Sequence, residues 1–578
     1  MDKETRITRE TLIYGLIFLA ALFLRLAVLG RSPLVESEAG WAFQSWQIHL
    51  GEPVVMGSQV GYLSFSEVLF SLFGGSDFLA RFWPALVGSL IVFVPCLLKR
   101  HLGQIPALIL AGGLAFDPAL VSVSRIAAGP MPALVFLLLS AAAFYTGKWN
   151  WVAITLGLGL LSGPAFWLGN LVLVLTGVLS SLLGIFDLRK YVQNRVSLIQ
   201  EQKGQIQNIL NTILIPLILF ILISTFFLQN FQGLSAWAGS LPEFIGNLIF
   251  IGDFQAIRLL INLVVSNPLI LIFGIAGFFL SWKKGDQVGK VFSIWFGLSL
   301  LILLIIPGRQ VVDLIWLVFP LWVVTAREIN RIYSLAENSW AIFGLVVLVS
   351  VLFVLNWLTF TGMVFQIGNP QAVLLQIGLL FASIFLVLIA FAIVSGGSTM
   401  RLWLMPAEEW RAPIKGLSLG VSGMLIIYML SALVQGSYLR QSDPRSMWSD
   451  GSGAGQTRLL KDSIYDASIT YAGRGDAIQG VVLGSWDSLR WELRNLKGIE
   501  FQESLDPEEL PPLIITSEID SYLVNQEMYR GQDFILETHP GWEGILPLDW
   551  ISWVAFRSGA IEKEDIILWI RNDIFSGY

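Results

Sequence analysis

Thirteen apolar runs pace this chain, at about 11–30, 79–98, 104–121, 130–146, 149–163, 166–185, 209–228, 257–281, 291–307, 312–326, 340–361, 371–395 and 415–436. A transmembrane helix needs ~20 apolar residues, so the spacing predicts a polytopic membrane protein, mainly α, with about thirteen transmembrane helices. The run 62–73 is too short to span and, with Glu67 in it, is expected to lie at the interface. Composition agrees: 55% of residues are hydrophobic and only 13% are charged, against about 25% charged in soluble domains. That balance excludes a disordered chain, a collagen-like fibre and a purely soluble enzyme.

The few charges are sorted. With the N-terminus placed in the cytoplasm, alternation leaves eighteen Lys and Arg in inner segments, among them Lys99, Lys190, Lys283 and Arg327, and three in outer loops, Arg31, Arg125 and Arg309. This is the positive-inside bias expected of a plasma-membrane protein. Thirteen spans then put the C-terminus outside. The first run reads as a retained span and not a cleaved signal, because no small-residue cleavage site follows it. Cys96 is the single cysteine, so no intrachain disulfide and no cysteine-held metal is expected. His49, His101 and His539 are too scattered to predict a histidine metal cluster.

The segment from about 437 changes character. It holds 12 basic and 23 acidic residues, which argues against nucleic-acid binding. Residues 1–436 are read as the membrane domain, 437–456 as a linker and 457–578 as a small α/β extracytoplasmic domain. Strand-like runs at 480–485, 512–517 and 533–539, with a helix-like run at 487–497, carry that expectation.

Candidate chemistry lies at outer helix ends. In the loop 31–78, Glu36 and Glu38 are two apart, so in an extended segment both face one way. A carboxylate just above the bilayer can act as general base toward an acceptor hydroxyl; the plainer alternative is a solvated acidic loop. Asp117 sits near the outer end of the third run, where an ionisable group is costly and a functional candidate, or a headgroup-exposed helix end. Arg25, Arg81, Arg125, Arg258 and Arg309 lie at outer helix ends. Such guanidinium groups can grip a lipid phosphate, snorkel, or pair locally, as Asp77 with Arg81 and Arg309 with Asp313 could at i,i+4 spacing. Trp83, Trp151, Trp282, Trp322 and Trp340 are expected in the interfacial aromatic belt.

The text SPLVESEAGWAFQSWQIHLGEP (32–53) and then LFGGSDFLARFWPALVGSLIVFVPCLLKRHLG (72–103) resembles the start of GT-C membrane glycosyltransferases, in the prokaryotic branch of protein mannosyltransferases and aminoarabinose transferases. The tail's GSWDSLRWELRNLKGIEF (484–501) resembles an outer-domain motif of a subgroup of that superfamily. The resemblance implies transfer of a sugar from a polyprenyl-phosphate donor to a glycan, lipid or protein acceptor on the outer face. It implies an outer-loop carboxylate as base, Glu36 or Glu38, with Asp117 as a second acid. Arg81, Arg125, Arg258 and Arg309 are the candidates to hold the lipid phosphate. Glu36, Glu38 and Asp117 could also offer oxygen ligands to Mg²⁺ or Mn²⁺, although no pattern demands a metal.

The chain departs from the family text in three places. Ser37 stands where the signature has Asp, SRIAAGPMP (124–132) lacks the family's second acid, and MGSQVGY (56–62) lacks its His-Gly-Pro. These substitutions leave a second reading open, a GT-C-fold protein that binds lipid-linked sugar or assists a flippase without transfer activity. A third, a secondary transporter, predicts inverted repeats with paired broken spans, which the sequence does not show.

Overall fold

The computed structural model describes residues 9–186, 193, 206–250, 252, 255–335, 339–366, 369–394, 410–441, 443–446, 452–453, 456–505, 510–542 and 549–575. Lys3, Arg6, Arg189, Lys190, Arg195, Lys203 and Arg401 of the cationic inner segments lie outside the described residues, as do residues 442, 447–451 and 454–455 of the linker 437–456.

Every one of the thirteen apolar runs falls on a helix or a broken helix. The chain opens with α1 (Arg9–Leu26), α2 (Glu36–Leu50), α3 (Val60–Phe73), α4 (Asp77–Ser89) and α5 (Phe93–Leu102). Next come α6 (Gln104–Phe116), α7 (Pro118–Ser124), α8 (Pro130–Thr146), α9 (Trp149–Leu160) and α10 (Pro164–Leu182). Among the described residues six helices are long and apolar enough to cross a membrane, or eight if each of two bent pairs counts as one. The remainder are shorter, as α8 and α9 are, or carry three charges, as α1 and the helix Ile315–Tyr333 do.

Both bends follow from X-Pro chemistry. The residue before proline is pushed out of the α region, and Asp117 sits at φ −68° and ψ 126° ahead of Pro118. The helix therefore turns by 52° between α6 and α7. Asn267 ahead of Pro268 does the same, and Ala256–Ser266 meets Pro268–Lys284 at 97°. Each bend places a buried polar residue, Asp117 or Asn267, at the break.

The helix Ile315–Tyr333 is the core's axis. From Ile315 to Val324 every residue is buried, as expected for a helix apolar all round. Close approach is obtained with glycine: a Cβ on Gly113 would stand 2.3 Å from the Trp322 ring. Trp322 is therefore a core residue and not a belt residue. Trp83 is likewise drawn inward, stacked on Phe65 at 3.7 Å, whereas Trp151, Trp282 and Trp340 are exposed. The short helix α3 is not a free interfacial helix either. It is buried from Val60 through Leu63, and its Tyr62 donates a hydrogen bond to the Ala80 carbonyl at 2.9 Å.

The tail folds as a six-stranded mixed sheet of order β1-β5-β6-β4-β2-β3. Its strands are β1 (Ser452–Gly453), β2 (Gly480–Leu483), β3 (Ile499–Gln502), β4 (Leu513–Ser517), β5 (Tyr529–Pro540) and β6 (Ile561–Arg571). Strand β2 runs parallel to β3 and to β4, and β4, β6 and β5 are successively antiparallel. The helices Gln456–Ala472 and Asp487–Leu493 bury Leu460, Ile464 and Leu489 against Val482, Ile515 and Leu568 of the sheet.

The helix Asp487–Leu493 seats the tail on the loop 31–78. Trp491 is 1% exposed, with its ring 5.5 Å from Phe70, and its indole donates to Asp77 at 2.8 Å. Asp77 also pairs with Arg458 at 2.6 Å, so the i,i+4 pair Asp77–Arg81 does not form. Arg494 lies on the Trp491 ring at 3.7 Å and donates to the Gly75 carbonyl.

Candidate functional site

A cavity of about 220 Å³ opens between the start of α2, the end of α7 and the stretch 436–441. Its wall combines the start of α2, the end of α7, the helix Gln232–Ile249 and the segment following the helix Arg411–Val434. Glu38, Arg81, Arg125 and Glu243 are its charged groups, and Ser37 is among its lining residues.

The loop 31–78 begins extended at Pro33–Val35 and becomes helical at Glu36. Glu36 and Glu38 therefore lie in one helical turn and not in a strand. Residues two apart on a helix point in different directions, and the two carboxylates part company. Glu38 turns inward and is 3% exposed. Its Oε1 accepts from Arg81 Nε at 2.9 Å and from the Ala127 N–H at 2.8 Å. Its Oε2 accepts from Arg81 Nη2 at 2.5 Å and from the Val35 N–H at 3.3 Å. Arg81 spends its remaining N–H groups on the carbonyls of Leu29, Ser32 and Pro33. The pair closes on itself and fixes the entry to α2.

Glu36 turns toward the tail. Its two oxygens accept the backbone N–H groups of Asp487 and Ser488 at 2.5 and 2.9 Å, and its own N–H donates to Glu537 at 2.7 Å. Burial first, and the Glu36 charge second, push the Asp487 carboxyl above its usual range. Burial also raises Glu537, an effect the Glu36 N–H opposes and the Glu36 charge adds to.

Asp117 lies away from the cavity, fully buried in the bend. It accepts from the Leu120 N–H at 3.0 Å, capping α7, and from Trp322 Nε1 at 2.7 Å. Of the three acids singled out by sequence, the structure brings only Glu38 to the cavity wall.

The arginines divide in the same way. Arg81 and Arg125 line the cavity, and Arg258 and Arg309 do not. Arg125 donates to the carbonyls of Leu24, Arg25 and Ala27, where α1 ends. It also reaches Gln441 and lies over the Tyr438 ring at 4.8 Å. Among the described residues it forms no ion pair, so its charge on the cavity wall is not neutralised. Arg25 is buried and holds the Leu114 and Ala115 carbonyls of α6. Arg258 donates to the Trp542 carbonyl of the tail and Arg309 to the Leu303 carbonyl.

The sequence reading missed Glu243. It stands on the helix Gln232–Ile249, in a stretch with no spanning run, and accepts a hydrogen bond from the Ser58 hydroxyl. Pro242 before it marks a local feature, but nothing in the text distinguishes this acid from a solvated one. The acid absent from 124–132 has a physical cause at one position. A Cβ on Gly129 would lie 2.3 Å from the Ser162 carbonyl oxygen, so no acidic side chain fits there.

Glu36, Glu38 and Asp117 do not assemble as a ligand set for a cation. Among the described residues, Glu537, His539 and Glu564 bring their ligand atoms within 4.8 Å of one another. They belong to the β5–β6 ladder, outside the cavity wall, and Glu564 accepts from the Trp486 indole at 2.9 Å.

No protein-family model and no curated protein matches the sequence. The architecture is nevertheless one seen in solved structures, shared over nearly the whole chain. The crystal structure of ArnT from Cupriavidus metallidurans bound to undecaprenyl phosphate is similar over 97% of this chain and 98% of that one, with a TM-score of 0.53 and 13% identity. The same protein in the apo state is similar over 96% and 97%, with a TM-score of 0.51 and 13% identity.

Proposed function

We propose that this chain is a membrane glycosyltransferase that moves a sugar from a polyprenyl-phosphate donor to an acceptor at the face covered by the tail. The sorting of Lys and Arg supports placing that face outside the cytoplasm, with the N-terminus inside. One observation carries the reading. In a GT-C fold, the cavity presents an arginine, Arg125, with no ion partner among the described residues, together with an exposed carboxylate, Glu243. Breaking a glycosidic bond to a lipid phosphate leaves an anion, and a fixed cation beside it lowers the barrier. The acceptor hydroxyl must lose a proton, which a nearby carboxylate accepts. ArnT, the similar fold, was solved with undecaprenyl phosphate, and the same class of lipid phosphate fits this cavity's charge. Both arginines donate to backbone carbonyls, but the Arg81 charge is matched by Glu38, so Arg81 holds the wall in place and Arg125 supplies the positive charge for the phosphate.

Donor binding tests the reading. Undecaprenyl phosphate should bind the purified protein, and Arg125→Ala should weaken that binding by roughly tenfold or more, as loss of a charge-assisted contact of about 1.5–3 kcal/mol implies. Equal binding by wild type and variant contradicts it. The second reading, a GT-C-fold protein without transfer activity, is favoured by Ser37 standing at the cavity wall in place of an acid. It predicts the same Arg125-dependent binding with no turnover.

A further inference from the structure

This inference rests on the glycosyltransferase reading and names the group that takes the acceptor's proton. Two carboxylates line the cavity, Glu38 and Glu243. Glu38 accepts four hydrogen bonds, two from Arg81 and two from backbone N–H groups, so taking a proton would mean giving up one of them. Its neighbour in the lining, Ser37, carries no carboxylate. Position 129 admits no side chain. Glu36 and Asp117 point elsewhere, each fully engaged by N–H donors.

Glu243 differs from all of these. It is exposed, and among the described residues only the Ser58 hydroxyl hydrogen-bonds it, at Oε2. Its other oxygen is left for a substrate hydroxyl. It reaches the cavity from the helix Gln232–Ile249, across from α2, so the proton acceptor sits on a different element from the loop 31–78.

We propose that Glu243 is the general base of the transfer, with Ser58 as the residue that positions it. The Glu243 carboxylate removes the acceptor's hydroxyl proton while the acceptor oxygen bonds to the sugar's anomeric carbon. The bond from that carbon to the donor's phosphate oxygen breaks, and its electron pair leaves on the lipid phosphate, facing Arg125.

The test uses the full chain in proteoliposomes. Donors are undecaprenyl-phosphate mannose, glucose and aminoarabinose, each radiolabelled and tried singly, with a membrane extract as the acceptor pool. Release of undecaprenyl phosphate gives the turnover, and binding of undecaprenyl phosphate is measured separately. Glu243→Gln should lose roughly 10²- to 10⁴-fold in turnover with phosphate binding and thermal midpoint unchanged. Glu243→Asp should recover part of the turnover, and Ser58→Ala should lower it while shifting the pH profile. Near wild-type turnover by Glu243→Gln overturns the assignment and leaves the glycosyltransferase reading standing. A parallel loss of binding and turnover makes Glu243 a donor ligand and overturns it as well. No turnover by the wild type with any donor overturns both.

Discussion

Glu38 and Arg81 meet in a two-armed ion pair, 2.9 Å through Nε and Oε1 and 2.5 Å through Nη2 and Oε2, at sites where both side chains are almost wholly buried. Removing one member of such a pair strands the other's charge away from water. Arg81→Ala should therefore cost about 3–5 kcal/mol of stability, measured by chaotrope unfolding in detergent. A loss below about 1 kcal/mol, the size expected for an exposed pair, would contradict the buried clamp.

Glu36 should act on docking and not on chemistry. Its carboxylate takes two backbone N–H groups of the tail, and hydrogen bonds to a charged group are worth about 1.5–3 kcal/mol. Glu36→Ala should speed hydrogen exchange at the Asp487 and Ser488 amides. It should also hasten proteolysis between Gln441 and Gln456. Unchanged exchange at both amides would contradict this contact.

The same junction should respond to pH. Glu537 and Asp487 are both raised by burial, so the folded state holds their protons more tightly than the unfolded chain does. Their contribution is fully present below the unfolded carboxylate values and is lost as pH rises through the raised ones. Tail docking should tighten on mild acidification, read as slower cleavage of the linker, with Glu537→Gln flattening the response. Looser docking on acidification would carry the wrong sign.

Asp117 should behave as a structural acid. Asp117→Ala removes the cap of α7 and the partner of Trp322 and should destabilise by about 1–3 kcal/mol, with a change in tryptophan emission. Asp117→Asn keeps a capping oxygen and should retain most of the stability. If Asp117→Asn folds normally yet loses all transfer, the acid has a role beyond this geometry.

Much of the fold was legible because membranes impose it on sequence: length and apolarity placed all thirteen runs on helices. The bends at Asp117–Pro118 and Asn267–Pro268 carried their own signal in the X-Pro dipeptides, although a hydropathy reading passes over them. Strand β6, IEKEDIILWIR, and the helix Gln456–Ala472 were passed over because the charges at the start of the first and the polar character of the second mask their apolar faces. The site was less legible for a different reason. Residue types announce capability, while partners decide use. Glu36, Glu38 and Asp117 were visible as acids, yet each meets N–H donors supplied from far along the chain, Asp487, Arg81 and Trp322. The arginines were visible as cations, yet most serve carbonyls at helix ends. Glu243 stands in a stretch with no spanning run, and the packing of its helix against α10, α3 and the helix Ile206–Ser224 brings it to the cavity.

The most direct test of the account is turnover of a lipid-linked sugar by the intact protein. In proteoliposomes supplied with radiolabelled undecaprenyl-phosphate sugars and a membrane extract, the wild type should release undecaprenyl phosphate and deposit label on an acceptor. Binding of the lipid phosphate with no release from any donor would contradict a glycosyltransferase and leave a GT-C-fold binding protein in its place.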